Sequence, residues 1–143
     1  MKFGYKKIPA GPSEAFPKRK EILRPIIPIT IEYNGKKIGY EVLIDSGADW
    51  NLFHSIMGEV IGIDIAKGKK EKFGGIEGGS CMAYFHEVTI YVGGHPIKVP
   101  CGFSPDIPPP PKQAYGILGH IGFFDQFTVK FETTKEELEI KKI

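Results

Sequence analysis

The sequence predicts an all-β fold, and three observations carry that expectation. Two stretches alternate apolar and polar residues with a period of two, each folding back around a tight-turn signal, Asn34-Gly35 in one and Gly93-Gly94 in the other. Between them Gly58, Gly62 and Gly68 interrupt the apolar residues, so residues 56–72 read as short turns and a brief strand rather than a long helix. No internal repeat is visible.

The elements follow in order. Ile27, Ile29, Ile31 and Tyr33 alternate with Pro28, Thr30, Glu32 and Asn34, and beyond the turn Ile38, Tyr40, Val42 and Ile44 resume the alternation. The second strand of this hairpin delivers Asp45. Phe73-Gly74-Gly75-Ile76-Glu77-Gly78-Gly79 then marks a loop tip, or a place where backbone comes close to a ligand. In the second hairpin Tyr84, His86, Val88, Ile90 and Val92 alternate with Phe85, Glu87, Thr89 and Tyr91, and Ile97 and Val99 lead back. Pro105 and the run Pro108 to Pro111 exclude a central strand or helix interior, which leaves a stiff surface loop. Tyr115 to Gly119 reads as a short apolar strand, and residues 121–127 as one or two helical turns packing Phe123, Phe124 and Phe127 inward. Phe127, Val129 and Phe131 alternate as a strand, and Leu138, Ile140 and Ile143 close the chain.

At 143 residues, 41% hydrophobic and 12% aromatic, the chain has the size of one compact domain with a real core. Residues 1–25 form a basic arm, an interface element or a partly ordered terminus, and residues 26–143 form the domain. A net charge of +2 offers no strong field for nucleic acid or an anionic membrane. There is no uninterrupted signal-like apolar segment at the start and no stretch long enough to span a bilayer, so the expectation is a soluble, cytoplasmic protein. Cys81 and Cys101 have no zinc-type spacing with each other or with a histidine pair, so neither a metal nor another cofactor is expected. Two free thiols are the default, with a disulfide open to them only if their strands are neighbours.

The most telling stretch is Leu43-Ile44-Asp45-Ser46-Gly47-Ala48-Asp49. An aspartate between a buried strand and a tight turn is held at a fixed height, with a hydroxyl and a glycine backbone beside it to hydrogen-bond it. No other aspartate repeats the pattern: Asp49, Asp64, Asp106 and Asp125 are followed by Trp, Ile, Ile and Gln. Chemistry that needs two carboxylates would take the second from another copy of the chain.

Together with Gly74 to Gly79 and Ile117-Leu118-Gly119, this stretch resembles the retropepsins, single-domain aspartic proteases of retroviruses and their cellular and prokaryotic relatives. The resemblance covers roughly residues 26–131. It implies a closed, short-stranded acid protease fold with one short helix, assembled as a two-fold symmetric homodimer that cleaves peptide or protein substrates as an endopeptidase. Asp45 would be the catalytic carboxylate, Ser46 the hydroxyl bracing the two active-site loops, and Gly47 the turn. Ala48 and Asp49 would line the substrate cleft under a flap formed by Gly74, Gly75, Ile76, Gly78 and Gly79. Ile117, Leu118 and Gly119 would support the loop from below. His120 stands where these proteases very often carry an arginine facing the aspartate kept here as Asp49, so a His120–Asp49 pair is one arrangement to look for. The alternative is a binding or assembly module that keeps the fold without proteolytic turnover.

Overall fold

The computed structural model describes residues 1–74, 80–108 and 111–143. In chain order the elements are β1 (Lys2–Gly4), β2 (Lys6–Pro9), β3 (Glu21–Arg24), β4 (Ile26–Tyr33), β5 (Lys36–Ile44), β6 (Asn51–His54), α1 (Ser55–Val60), β7 (Lys69–Gly74), β8 (Ser80–Val92), β9 (His95–Ser104), β10 (Tyr115–Leu118), β11 (Phe127–Glu132) and β12 (Glu137–Lys142). The class is all-β with one short α-helix.

The main sheet runs β4-β5-β10-β6-β9-β8-β7, and β4 also pairs with β8, so the sheet closes into a barrel. Closure removes the free edges that an open sheet would present. Only β7 lies outside the ring, paired with the first half of β8 from Lys69↔Phe85 to Gly74↔Ser80. Most pairs are antiparallel, but β10 runs parallel to β5 and β6 runs parallel to β9.

Both predicted hairpins are present. Asn34 and Gly35 take φ of 47° and 80°, and Gly93 and Gly94 take 56° and 83°, the positive pair that a type I′ turn needs to match the strand twist. The alternation fixes which face is inside. Ile27, Ile29 and Ile31 of β4, Tyr40, Val42 and Ile44 of β5, and Val88, Ile90 and Val92 of β8 are all buried. Phe53, fully buried, sits edge-on to Tyr40 at 5.4 Å and to Phe103 at 5.8 Å, which ties β5, β6 and β9 together across the barrel interior.

Two expectations are corrected. The helix is α1, inside the segment read as turns, and not at residues 121–127. Gly58 is no breaker there: a Cβ would come within 2.7 Å of Ile65 and 2.9 Å of Phe103, so glycine is what lets the helix pack against β9. His54 starts the helix by accepting the Ile56 N–H at Nδ1. After His120 the chain makes successive turns instead, with Gly122 at φ 100°, a conformation that breaks an α-helix. Phe123 and Phe127 are buried as expected, and Phe124 is half-buried.

The end of the chain builds a separate three-stranded sheet, β1-β12-β11, in which the N-terminal ammonium donates to the Ile140 carbonyl at 2.8 Å. The basic segment thus begins paired to the C-terminal hairpin. Its second part, β2–β3, joins the barrel beside the end of β5, where the Ile44 N–H donates to the Pro25 carbonyl at 2.9 Å. The two cysteines are free. Although β8 and β9 are neighbours, Cys101 lies opposite His86, five positions along the strand from Cys81, too far for a disulfide.

Truncating Phe53 to alanine removes the ring shared by three strands and should cost about 3–5 kcal/mol. Urea denaturation reads this as a lower midpoint at unchanged slope.

Candidate active site

The site begins where β5 ends. Ile44 is buried, the next residue leaves the strand, and Asp45 is half-buried while Ser46 and Gly47 are exposed. The Ala48 N–H closes the turn on the Asp45 carbonyl at 3.1 Å. The Gly47 N–H donates to Asp45 Oδ1 at 2.9 Å, so the carboxylate is oriented by its own loop.

The loop is fastened along its back by the segment following β10. Asp45 N–H donates to the Leu118 carbonyl at 3.0 Å, His120 N–H to Ala48 at 3.0 Å and Ile121 N–H to Asp49 at 2.9 Å. β10 itself lies between β5 and β6, with Ile117 opposite Leu43 on one side and Leu52 on the other. Ile117, Leu118 and Gly119 therefore do support the loop, each differently. Leu118 points into the core, Ile117 faces the cleft, and Gly119 gives the loop room. A Cβ on Gly119 would lie 2.5 Å from the Trp50 carbonyl and 2.7 Å from that of Ala48.

Beside the loop is a cleft of about 460 Å³. Gly47, Ala48, Asp49 and Trp50 form one wall, Leu52 and Ile117 the floor, and Lys72, Phe73 and Gly74 of β7 the other wall. Trp50 is thus cleft wall, and it meets Phe85 edge-on at 5.4 Å. The cleft residues expected from sequence, Ala48, Asp49 and Gly74, come together here. Gly75, Ile76, Gly78 and Gly79 lie outside the described residues. Among the described residues Ser46 Oγ has no hydrogen-bond partner within the chain, and no group of three or more His, Cys, Asp or Glu is arranged to hold a metal ion.

His120 does not pair with Asp49. Its backbone is held by Ala48 and its ring lies on Phe124, with centroids 5.3 Å apart, so Nε2 reaches the Ser46 carbonyl at 2.6 Å. An imidazole is shorter than a guanidinium side chain and stops at this nearer acceptor.

Sequence reasoning missed Asn51. Fully buried, it accepts the Gly119 N–H at Oδ1 at 3.0 Å and directs Nδ2 at Cys101 Sγ at 3.7 Å, which fixes β10 against β6. A polar residue opening the apolar Leu52-Phe53 strand was the available signal. It also missed Lys72 as a cleft wall, for which adjacency to the glycine run was the only hint. Burial pushes the Cys101 thiol up to about 12, against the opposing hydrogen bond from Asn51.

Among solved structures, a similar one is that of the EIAV protease. That structure, complexed with the inhibitor HBY-793, is 27% identical, with 68% of this chain and 82% of that chain covered and a TM-score of 0.46. No protein-family model matches the chain, and no curated protein matches it.

Gly119→Ala should cost about 1–3 kcal/mol, because the clash is with backbone carbonyls that cannot swing aside; thermal unfolding against the Gly116 to Gly119 surroundings of the parent checks it. Thiol alkylation at pH 8 should label half-buried Cys81 and spare Cys101 until the protein is unfolded. Because the folded Cys101 holds its proton more tightly than the unfolded one, its contribution to stability is present at neutral pH. That contribution falls as pH rises from about 9 towards about 12.

Proposed function

We propose that this protein is a retropepsin-like aspartic endopeptidase that works as a homodimer. The observation that carries the reading is Asp45 itself, fixed by loop backbone at the edge of a cleft whose opposite wall is the strand leading into the glycine-rich segment. One chain brings one such carboxylate. The surface around it supports a second copy: Ser46, Gly47 and His120 are exposed, and beside them Ile121 leaves 53% of its area in solvent.

Two Asp45 carboxylates brought together across a two-fold axis would share one proton, the behaviour for which the aspartic-protease dyad is the standing example. The ionised member takes a proton from a water while the protonated member donates to the peptide carbonyl oxygen. Water adds to the carbonyl carbon, and collapse of the tetrahedral intermediate expels the amine with a proton returned from the dyad. Titration belongs to the pair. Ser46 Oγ, unpartnered within one chain, is free to meet the other active-site loop. Leu52, Ile117, Trp50 and Phe73 give the cleft an apolar lining suited to an extended peptide with apolar side chains at the scissile bond.

A peptide-library cleavage assay tests the reading. The parent chain should cleave at a restricted set of sites, Asp45→Asn should lose roughly a thousandfold or more in kcat, and activity per chain should fall on dilution through the dissociation range. Cleavage that survives Asp45→Asn, or activity per chain that is independent of concentration, would overturn it; a dimer with no cleavage would leave the binding-module alternative.

A further inference from the structure

We infer that His120 is a positioning residue that sets the proton affinity of Asp45 through a single peptide group. The catalytic meaning of this rests on the endopeptidase reading above; the coupling itself does not. The Ser46 carbonyl and the Gly47 N–H belong to one amide. His120 Nε2 is 2.6 Å from that carbonyl oxygen, and the amide's N–H is 2.9 Å from Asp45 Oδ1. A carbonyl only accepts, so Nε2 carries the hydrogen, which fixes the tautomer of a neutral ring. Donation to the oxygen pulls electron density along the amide and makes its N–H a stronger donor. The strengthened N–H stabilises the ionised carboxylate, so His120 draws Asp45 towards its charged form.

The ring is held for this purpose from several sides. The His120 N–H is bonded to Ala48, its carbonyl accepts the Asp125 N–H at 3.1 Å, and its face lies tilted on Phe124 at 36°. The titratable and charged groups on the segments joined here are Asp49 on the loop, Asp125 on the following turn, whose Oδ1 accepts the Gly122 N–H, and Arg24 beside Pro25 at the end of β5. Among the described residues none forms an ion pair with His120 or Asp45. The hydrogen-bonded amide is then the one specific link between the two side chains.

The test is a pH titration of the Asp45 carboxyl carbon by NMR in the full chain, which reads proton affinity whether or not the protein turns over a peptide. His120→Phe keeps the ring stacked on Phe124 without a donor, and should raise the apparent Asp45 titration by about half a unit to one unit. His120→Gln places an amide N–H near the position of Nε2 and should return the titration towards that of the parent. His120→Asn, too short to reach the carbonyl, should behave like the phenylalanine variant and replaces it if that variant does not fold. An unchanged titration in the donor-less variants, or a glutamine variant displaced as far as they are, overturns the inference. A displaced titration in a chain that cleaves nothing upholds it and removes the proposed function instead.

Discussion

Three backbone hydrogen bonds between residues 45–49 and residues 118–121 hold the one loop that the rest of the site depends on. They join two segments far apart in sequence, and they exist because β10 enters the sheet between β5 and β6 and runs on past it. A loop on a barrel rim would otherwise have its polar backbone in water and several conformations open to it. Here its carbonyls meet fixed N–H groups, and Asp45 takes its height from the strand register. Gly119 is the condition for that contact, since the loop backbone occupies the space of any side chain there. Asn51 is its complement, satisfying the Gly119 N–H from within a dry interior where an unpaired donor would cost about 1–3 kcal/mol.

Closure of the barrel makes this arrangement stiff. β10 is only four residues long, and a strand of that length contributes little by its own pairing. Its register is kept by the packing of Phe53 against Tyr40 and Phe103 on neighbouring strands, and by the loss of a free edge where β4 meets β8. The β7–β8 ribbon is different. It stands outside the closure, and its base is anchored by the Asp106 carboxylate, which accepts the Met82 N–H at 2.8 Å while the Asp106 N–H donates to Ser104 Oγ. One wall of the cleft is thus part of the barrel, and the other is a ribbon tied to it at the foot.

Much of this was legible in the sequence where a local rule and the global fold agree. The two hairpins were readable because Asn34-Gly35 and Gly93-Gly94 supply the positive φ that their turns need, and period-two alternation then assigned the inward faces. The Asp45 loop was readable because a carboxylate, a hydroxyl and a glycine after an apolar run have few other uses. What escaped was set by contacts distant in sequence. Gly58 looked like a helix breaker, but it is inside a helix because Phe103 and Ile65 lie against it. The aromatic run after Ile121 looked helical, but Gly122 turns the chain where a Cβ would meet the Asn51 amide at 2.5 Å. The pairing of β1 with β12 left no local trace, since three residues carry no usable period.

The replacement of an arginine by His120 at the back of the loop changes more than charge. A guanidinium there would reach outward for a carboxylate and act as a fixed positive end of an ion pair. The imidazole instead ends on the Ser46 carbonyl, one amide away from the Asp45 carboxylate, so its influence is delivered through a dipole already pointed at the reacting group. A dipole of this kind needs no reorganisation when the carboxylate changes charge, the property that makes fixed amides effective in active sites. It also leaves Asp49 unpaired with His120 on the cleft wall, where it lies across from Lys72 on β7 and is available to polar groups of whatever occupies the cleft. The same substitution thus frees a side chain at the front of the loop and couples another to its back.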